Sequence, residues 1–570
     1  MIDSSNKKNS IFIVGMLIGA AVFVCIYGTD ILNFTNDSIF INGYIEKDVV
    51  QHYTGWMLYR NSPWQFPLGV GQNMAFPYGS AVSYTDSIPL FAMLFKLLRG
   101  FLPAAFQYFG LFVLLCFMLQ GGFGALLASL FNDNLFTDAV AAAVFVFSPV
   151  MIERAFRHCG LTAHFLILSA LYYYFKNKGR TDFRAVIPFF VINAVAITIH
   201  PYFLPFTFGI MFAFSVENFL IHGRYVSAPA YVIASIVVTL AVGYAIGAFY
   251  VGGSMSSIGY GLYSMNLNAM FNPVSQGFDN WSAILEIKPS FTYETTAGAL
   301  YGQIEGFNYL GLGVLAFIPV AGIAFLVSSG RKCFAKILEF IKYNFGIIFS
   351  TVALTVFAVG DWITYGGLKI FRLPIPDHII FGIFGIFRAN GRFGWLLGYI
   401  ITGFVLYLLV KCTPKKLAPL LLAVLLTVQV YDMRGVIAEK KAYFTGENVY
   451  SESQSVGTLL KSTYWDKAAK EFDCVCRSYL PVDNKCIEIA RKFAKRGKKV
   501  NTGFEARVNT EAFNNLTDQL YNRIIKGELE ENIVVLFIEL DDALTDAIKT
   551  HGYSIVFEDN IYAVFNKQKG

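Results

Sequence analysis

The chain of 570 residues is 55% hydrophobic and only 15% charged, and its mean hydropathy is +0.51. Soluble proteins average about 25% charged residues, so this composition excludes a disordered chain, a disulfide-rich miniprotein and an ordinary soluble enzyme. It indicates several membrane-spanning helices. The net charge is +6, and no basic surface suggests a nucleic-acid partner.

Charged residues are distributed unevenly along the chain. Residues 1–433 contain 25 Lys and Arg and 19 Asp and Glu, whereas the much shorter segment 434–570 contains 20 of each sign. We therefore predict an α-helical multi-pass membrane domain over 1–433, followed by a water-soluble domain over 434–570.

Apolar segments predict eleven membrane helices in the first domain. They lie at residues 11–28, 105–130, 137–150, 159–175, 185–200, 203–220, 229–251, 306–328, 344–360, 393–410 and 417–433. The first resembles a signal peptide, but no small-residue cleavage site follows, so we expect a retained anchor. Two apolar runs at 88–95 and 379–387 are too short to cross alone and are predicted to be interfacial or re-entrant.

Basic residues set the predicted orientation in an inner (plasma) membrane. Lys7 and Lys8 precede the first segment, and the loops on their side carry 14 of the 25 basic residues of this domain. The positive-inside rule then places the N-terminus in the cytoplasm. An odd number of spans places 434–570 on the periplasmic or extracellular face, together with long loops at 29–104 and 252–305.

Ionisable residues collect at the predicted external ends of the spans. Such groups are costly at membrane depth and are therefore functional candidates, although loop ends are polar in any case. The set comprises Glu46, Asp48, His52, Asp86, Glu153, Arg154, Arg157, His158, His164, His200, Asp279, Glu294, Glu305, Asp361, Arg372, Asp377, His378, Arg388 and Arg392.

Four short motifs on the predicted external side can carry chemistry. Glu46 and Asp48 can share a divalent cation such as Mg²⁺ or Mn²⁺, serve as a base, or simply cap a helix over 48–60. On a helix after Ser148-Pro149, Arg154, Arg157 and His158 would share one face. The guanidinium groups of Arg154 and Arg157 suit either a phosphate or lipid headgroups.

The third motif is Phe387–Phe393, which places Arg388 and Arg392 on the predicted external side of the membrane as well. These arginines can bind phosphate or pair with Glu46, Asp48 or Glu305. In the fourth motif, Glu305 and Tyr309 lie four residues apart, so they can face a sugar together or serve only in packing.

The segment 434–570 has the pattern of a small α/β domain. Helices are predicted over 484–496, 510–526 and from Asp541 or Asp542 to 551, a buried strand over 533–539, and a hairpin from 553–557 and 561–565. Cys474, Cys476 and Cys486 allow one disulfide, and the sequence does not select the pair.

The layout of 1–433 resembles the GT-C superfamily of membrane glycosyltransferases. The resemblance rests on a cytoplasmic N-terminus, one span, a long external loop with an early acidic pair, and Ser148-Pro149 followed by Arg154 and Arg157. Residues 106–111, 305–313 and 387–393 also resemble an uncharacterised bacterial multi-pass membrane family. Many GT-C enzymes carry another Asp after the arginines, where this chain has His158 and His164.

This resemblance implies an inverting transfer of a sugar from a polyprenyl-phosphate donor to a cell-surface glycan, lipid or protein. Asp48 would be the general base, and Glu46 would support it or share a metal ion. The lipid phosphate would be held by Arg154, Arg157, His158, Arg388 and Arg392. The substrate would be contacted by His164, His200, Glu305 and Tyr309.

Two other functions fit the same composition. A transporter or flippase for a lipid-linked glycan would have paired internal repeats and broken helices near the bilayer midplane, and no clear repeat is present. A non-catalytic assembly factor would tolerate loss of Asp48, Arg154 and Arg157.

Overall fold

A computed structural model describes residues 2–41, 47–250, 259–275, 280–287, 292–295, 298–301, 303, 305–446, 459–478, 484–501, 505–507 and 509–566. The described chain is mostly helical, with a five-stranded sheet near its C-terminal end.

Eighteen helices form the described part of the chain before residue 447. They are α1 Ile2–Tyr27, α2 Ser38–Ile41, α3 Lys47–Asn61, α4 Pro89–Leu97, α5 Phe109–Ala128, α6 Leu135–Val146, α7 Pro149–Arg154, α8 Phe165–Lys176, α9 Phe183–Ile199, α10 Leu204–His222, α11 Ser227–Ala245, α12 Leu312–Ser329, α13 Cys333–Tyr343, α14 Phe345–Val359, α15 Asp377–Phe381, α16 Trp395–Cys412, α17 Leu417–Asp432 and α18 Arg434–Phe444. Three small antiparallel hairpins accompany them, formed by β1 Val70–Gly71 with β2 Ser80–Ala81, β3 Thr292–Thr295 with β4 Gly298–Tyr301, and β5 Trp362–Tyr365 with β6 Leu368–Arg372.

Each of the eleven predicted segments overlaps one of these helices, but eleven spans are not confirmed. Among the described residues, six helices are long and apolar enough to cross a membrane, and the bent pair of α17 and α18 raises the number to seven. The helices α6, α9 and α14 are apolar but shorter. The 12 residues of α6 rise only about 18 Å, against a hydrocarbon thickness of about 30 Å.

Glycines let α1 and α5 pack with their backbones in contact. A Cβ atom on Gly15 would lie 2.3 Å from the carbonyl oxygen of Gly121, and one on Gly19 would lie 2.0 Å from that of Phe117. Small residues at such crossings are typical of helices that associate within a bilayer.

The two short apolar runs also form short helices. Residues 88–95 fall on α4, and residues 379–387 fall on α15 and a turn of 3₁₀ helix at Phe384–Phe387. None of these helices is long enough to cross a bilayer.

The C-terminal domain is the predicted α/β unit. Its helices and strands are α19 Tyr464–Glu471, β7 Cys474–Arg477, α20 Asn484–Lys495, β8 Lys499–Val500, α21 Thr510–Lys526, β9 Ile533–Phe537, α22 Asp542–His551, β10 Ser554–Glu558 and β11 Ile561–Phe565. The strand order is β10-β11-β9-β7-β8, in which β7 runs parallel to β8 and β9 and the other pairs are antiparallel. Asp541 caps α22 by accepting from the Leu544 amide at 2.7 Å.

The cysteines of this domain form no disulfide in the described part of the chain. Cys474 and Cys476 project from the same face of β7, and their Sγ atoms lie 3.6 Å apart.

The C-terminal domain docks on the first long loop, residues 29–104. Helix α20 packs along α3, where Asn61 donates a hydrogen bond from Nδ2 to the Ala494 carbonyl at 3.3 Å. The Val500 amide donates to the Asn73 carbonyl at 3.0 Å, and the Phe76 amide donates to the Val500 carbonyl at 2.9 Å. The domain is therefore held against the loop that carries Asp48.

Candidate functional site

Helix α3 presents two ionisable side chains to the interior of the site. Asp48 and His52 lie four residues apart and so share one side of the helix. His52 is fully buried, whereas the Asp48 side chain is 37% exposed. The packing of α3 against α20 fixes the position of this pair.

His158 connects Asp48 to the arginines. Its Nε2 atom lies 3.1 Å from Asp48 Oδ2, and its Nδ1 atom lies 3.4 Å from Nη1 of Arg154. Because a guanidinium group can only donate, Nδ1 must accept, and the ring proton then sits on Nε2 and is donated to Asp48. The histidine therefore orients the Asp48 carboxylate.

Two buried glutamates pair with three arginines. Glu305 Oε2 accepts from Arg154 Nη1 at 2.8 Å and from Arg392 Nε at 2.9 Å. Glu153 contacts Arg154 Nε at 2.8 Å and Arg157 Nη1 at 2.7 Å. We call these five side chains the arginine–glutamate network, and its formal charge is +1.

Neighbouring side chains control the protonation of Glu305 and Asp48. Burial acts to raise the pKa of Glu305, but the charges of Arg154 and Arg392 outweigh it and hold that pKa well below its ordinary value. Burial likewise acts to raise the pKa of Asp48, but the interaction with His158, chiefly its hydrogen bond, outweighs burial and lowers that pKa. Both carboxyl groups are therefore ionised near neutral pH.

Asp86 forms a second acid–histidine group beside the first. Its carboxylate lies 3.4 Å from Nε2 of His200 and 4.0 Å from Nε2 of His52. Burial acts to raise the pKa of Asp86, but the hydrogen bond from His200 and the charges of both histidines outweigh it and lower that pKa. Burial lowers the pKa of His52 to about 4, which keeps this ring neutral.

Four of these side chains, Asp86, His158, His200 and Arg392, line a cavity of about 320 Å³. Asp48 adjoins it through its contact with His158. The charged part of the cavity is lined by Asp86, His158, His200, Arg388, Arg392 and Arg507. Its apolar part is lined by side chains of α9, α10 and α11, including Ile197, Leu204, Phe208, Ile236 and Leu240. Ile236 is 41% exposed and Leu240 is 51% exposed, so the apolar wall continues onto the outer surface of α11.

The structure brings most, but not all, of the predicted site residues together. Helix α7 ends at Arg154, so the predicted helical face through Arg157 and His158 is wrong. Phe156 lies between the end of α7 and Arg157. Its φ is positive, at 60°, which is incompatible with a continuing α-helix. Arg154 and His158 nevertheless remain in contact.

Two predicted residues contact groups outside the cavity and the arginine–glutamate network, and a third cannot be placed. His164 is buried behind Arg154, with its ring 4.4 Å from Trp395 and its Nδ1 atom 2.9 Å from the Tyr399 hydroxyl. Tyr309 donates a hydrogen bond to Asp432 at 2.6 Å. Glu46 lies outside the described residues.

A metal site is not evident in the described ranges. No group of three or more His, Cys, Asp or Glu side chains among the described residues is arranged to hold a metal ion. The predicted cation between Glu46 and Asp48 involves a residue outside those ranges and stays a prediction.

Several residues of the site had no role predicted from the sequence. Asp86, His52 and Glu153 belong to the general set of external ionisable groups, without an assigned partner. Tyr202, whose ring lies 4.8 Å below the Arg392 guanidinium, and Arg507 have no motif that identifies them.

A family model described as "Domain of unknown function (DUF6311)" matches residues 16–434. The chain belongs to this family. No curated protein matches the chain. The family match covers Asp48, the arginine–glutamate network and the apolar wall, and it ends before the C-terminal domain that carries Arg507.

Proposed function

We propose that the protein is an integral membrane glycosyltransferase that transfers a sugar from a polyprenyl-phosphate donor to a glycan, lipid or protein acceptor on the external face. The observation that supports this proposal is the division of the cavity into a charged part and an apolar part. A polyprenyl-phosphate has the same division, with an anionic phosphate at the end of a hydrocarbon chain.

The phosphate would lie against Arg388 and Arg392. In the part of the chain that the structure describes, Arg388 forms no ion pair with a carboxylate, and it lines the cavity. Arg392 shares Glu305 with Arg154 and presents the rest of its guanidinium to the cavity. Arg154 and Arg157 are then positioning residues, because buried carboxylates already pair with them.

Asp48 would act as the general base. Its ionised carboxylate takes the proton of an acceptor hydroxyl while that oxygen forms a bond to the anomeric carbon of the sugar. The bond between this carbon and the phosphate oxygen breaks, and the lipid phosphate leaves with the electron pair. Attack opposite the leaving group inverts the anomeric carbon, and the arginines stabilise the charge on the departing phosphate.

The decisive experiment compares two isosteric variants in vesicles that contain the purified protein. Asp48→Asn should abolish consumption of radiolabelled polyprenyl-phosphate sugars in the presence of membrane-derived acceptors. Asp377→Asn is the matched control, since Asp377 is an exposed acid at the start of a short helix, as Asp48 is near the start of α3. Its activity should equal that of the unaltered protein.

Two results would contradict the proposal. One is equal transfer by Asp48→Asn and the unaltered protein. The other is movement of the labelled lipid between leaflets without acceptor, unaffected by Asp48→Asn, which would identify a transporter instead.

A further inference from the structure

Arg507, in the C-terminal domain, lies on the wall of the membrane-domain cavity. It lines the cavity together with Arg388 and Arg392. It comes from a part of the chain beyond residue 434, where the family match ends. The cavity is therefore built by two domains.

The backbone around Arg507 closes one side of the cavity. The Ala506 amide donates to the Tyr84 carbonyl at 2.6 Å, which ties this segment to the first long loop. Nη2 of Arg507 donates to the Ile386 carbonyl at 3.4 Å, which ties it to the segment that carries Arg388. Residues 506 and 507 thus bridge two walls that come from distant parts of the chain.

The charges around this bridge favour an anion. Three arginines and one aspartate line the cavity among its described residues; Asp86 is engaged with His200, and Arg392 with Glu305. Burial and the neighbouring charge of Arg388 lower the pKa of Arg507, as expected for two cations that line one cavity. A phosphate group between them would remove this repulsion and accept hydrogen bonds from both guanidinium groups.

We propose that Arg507 and Arg388 together hold the phosphate of an anionic polyprenyl lipid, so that the C-terminal domain completes the donor site. This proposal rests on the proposed function for the identity of the lipid. The hydrocarbon chain lies along the apolar wall of α9, α10 and α11. The C-terminal domain is then part of substrate recognition.

The test measures lipid binding to the full-length protein in detergent, with no acceptor present. The probes are a polyprenyl monophosphate, the corresponding uncharged polyprenol and inorganic phosphate. Arg507→Gln should weaken binding of the polyprenyl monophosphate about tenfold, the loss expected for one charge-assisted hydrogen bond. Binding of the uncharged polyprenol should not change.

Further variants separate a direct contact from a loss of local structure. Arg507→Lys keeps the charge and should recover part of the affinity. Arg523→Gln is the matched control, since it removes an arginine of the same domain that forms an exposed pair with Glu530.

The double variant Arg388→Gln with Arg507→Gln should lose less affinity than the product of the two single losses, because both side chains hold one phosphate.

Three outcomes would overturn the proposal. They are unchanged binding by Arg507→Gln, equal weakening of the phosphorylated and uncharged lipids, and binding of inorganic phosphate as tight as that of the polyprenyl monophosphate. Because no sugar is transferred in this assay, its result is independent of the Asp48→Asn experiment. Each proposal can fail without the other.

Discussion

Asp48 Oδ2 lies 3.1 Å from Nε2 of His158, so a side chain of α3 meets one that follows α7 beside the cavity. The contact joins the proposed base to the arginine–glutamate network, because the other ring nitrogen of His158 faces Arg154. It also lowers the pKa of Asp48 against the effect of burial.

Replacement of His158 should therefore change the pH dependence of the proposed transfer. His158→Gln removes the imidazole Nε2 contact with Asp48, so the pKa of Asp48 should rise. Since the base must be ionised, the acid limb of the pH–rate profile should move to higher pH. The maximal rate should fall about tenfold through loss of one hydrogen bond to a charged group.

The measurement is the rate of transfer in vesicles as a function of pH. His378→Gln, which removes an exposed histidine, serves as the control and should leave the profile unchanged. An unshifted acid limb in His158→Gln would show that His158 does not act through Asp48.

Glu305 should be important for stability. Glu305→Gln leaves the guanidinium groups of Arg154 and Arg392 without their shared negative charge inside the protein. Breaking a buried ion pair in this way costs about 3 kcal/mol. We expect a clear decrease in the thermal unfolding midpoint in detergent, while Glu339→Gln on the exposed surface of α13 should have no effect. Equal midpoints for the two variants would contradict the assigned role.

His52 should make the stability pH-dependent. Burial lowers its pKa from 6.5 to about 4, so between these values the unfolded chain binds a proton that the folded chain does not. Stability should fall as the pH decreases from 7 to 4, with a contribution of up to about 3 kcal/mol from this ring. Ionised Asp86 supports the folded state in this window, and His200 titrates in the same direction.

The variant His52→Phe isolates the contribution of His52. It keeps an aromatic ring next to Phe109 and removes the titrating group. Its unfolding midpoint should decrease less between pH 7 and pH 4 than that of the unaltered protein, whereas His222→Phe at an exposed position should match the unaltered protein. Parallel pH curves for His52→Phe and the unaltered protein would refute this assignment.

The α/β character of the C-terminal domain was predictable from local patterns. The uninterrupted apolar run at β9, the amphipathic pattern of α20 and α21, and the cap at Asp541 depend on neighbouring residues only. Helix positions in the first domain were predictable for the same reason. The number of membrane spans was not predictable, because α6 and α8 end after 12 residues each.

The composition of the site was only partly predictable. The sequence placed Asp48, Arg154, His158 and Arg388 in one functional set, since ionisable groups are rare in an apolar chain. The sequence did not reveal that Arg392 pairs with Glu305, because residue spacing was also compatible with Glu46 or Asp48 as the partner.

The amino-acid pattern alone therefore determined that this is a helical, apolar chain with a separate charged α/β domain, because hydropathy and helix periodicity act over a few residues. Only the tertiary structure decided which acid pairs with which arginine, and that Arg507 of the C-terminal domain lines the same cavity as Arg388. These contacts join positions far apart in the chain, and their energies depend on distance and burial that no local pattern encodes.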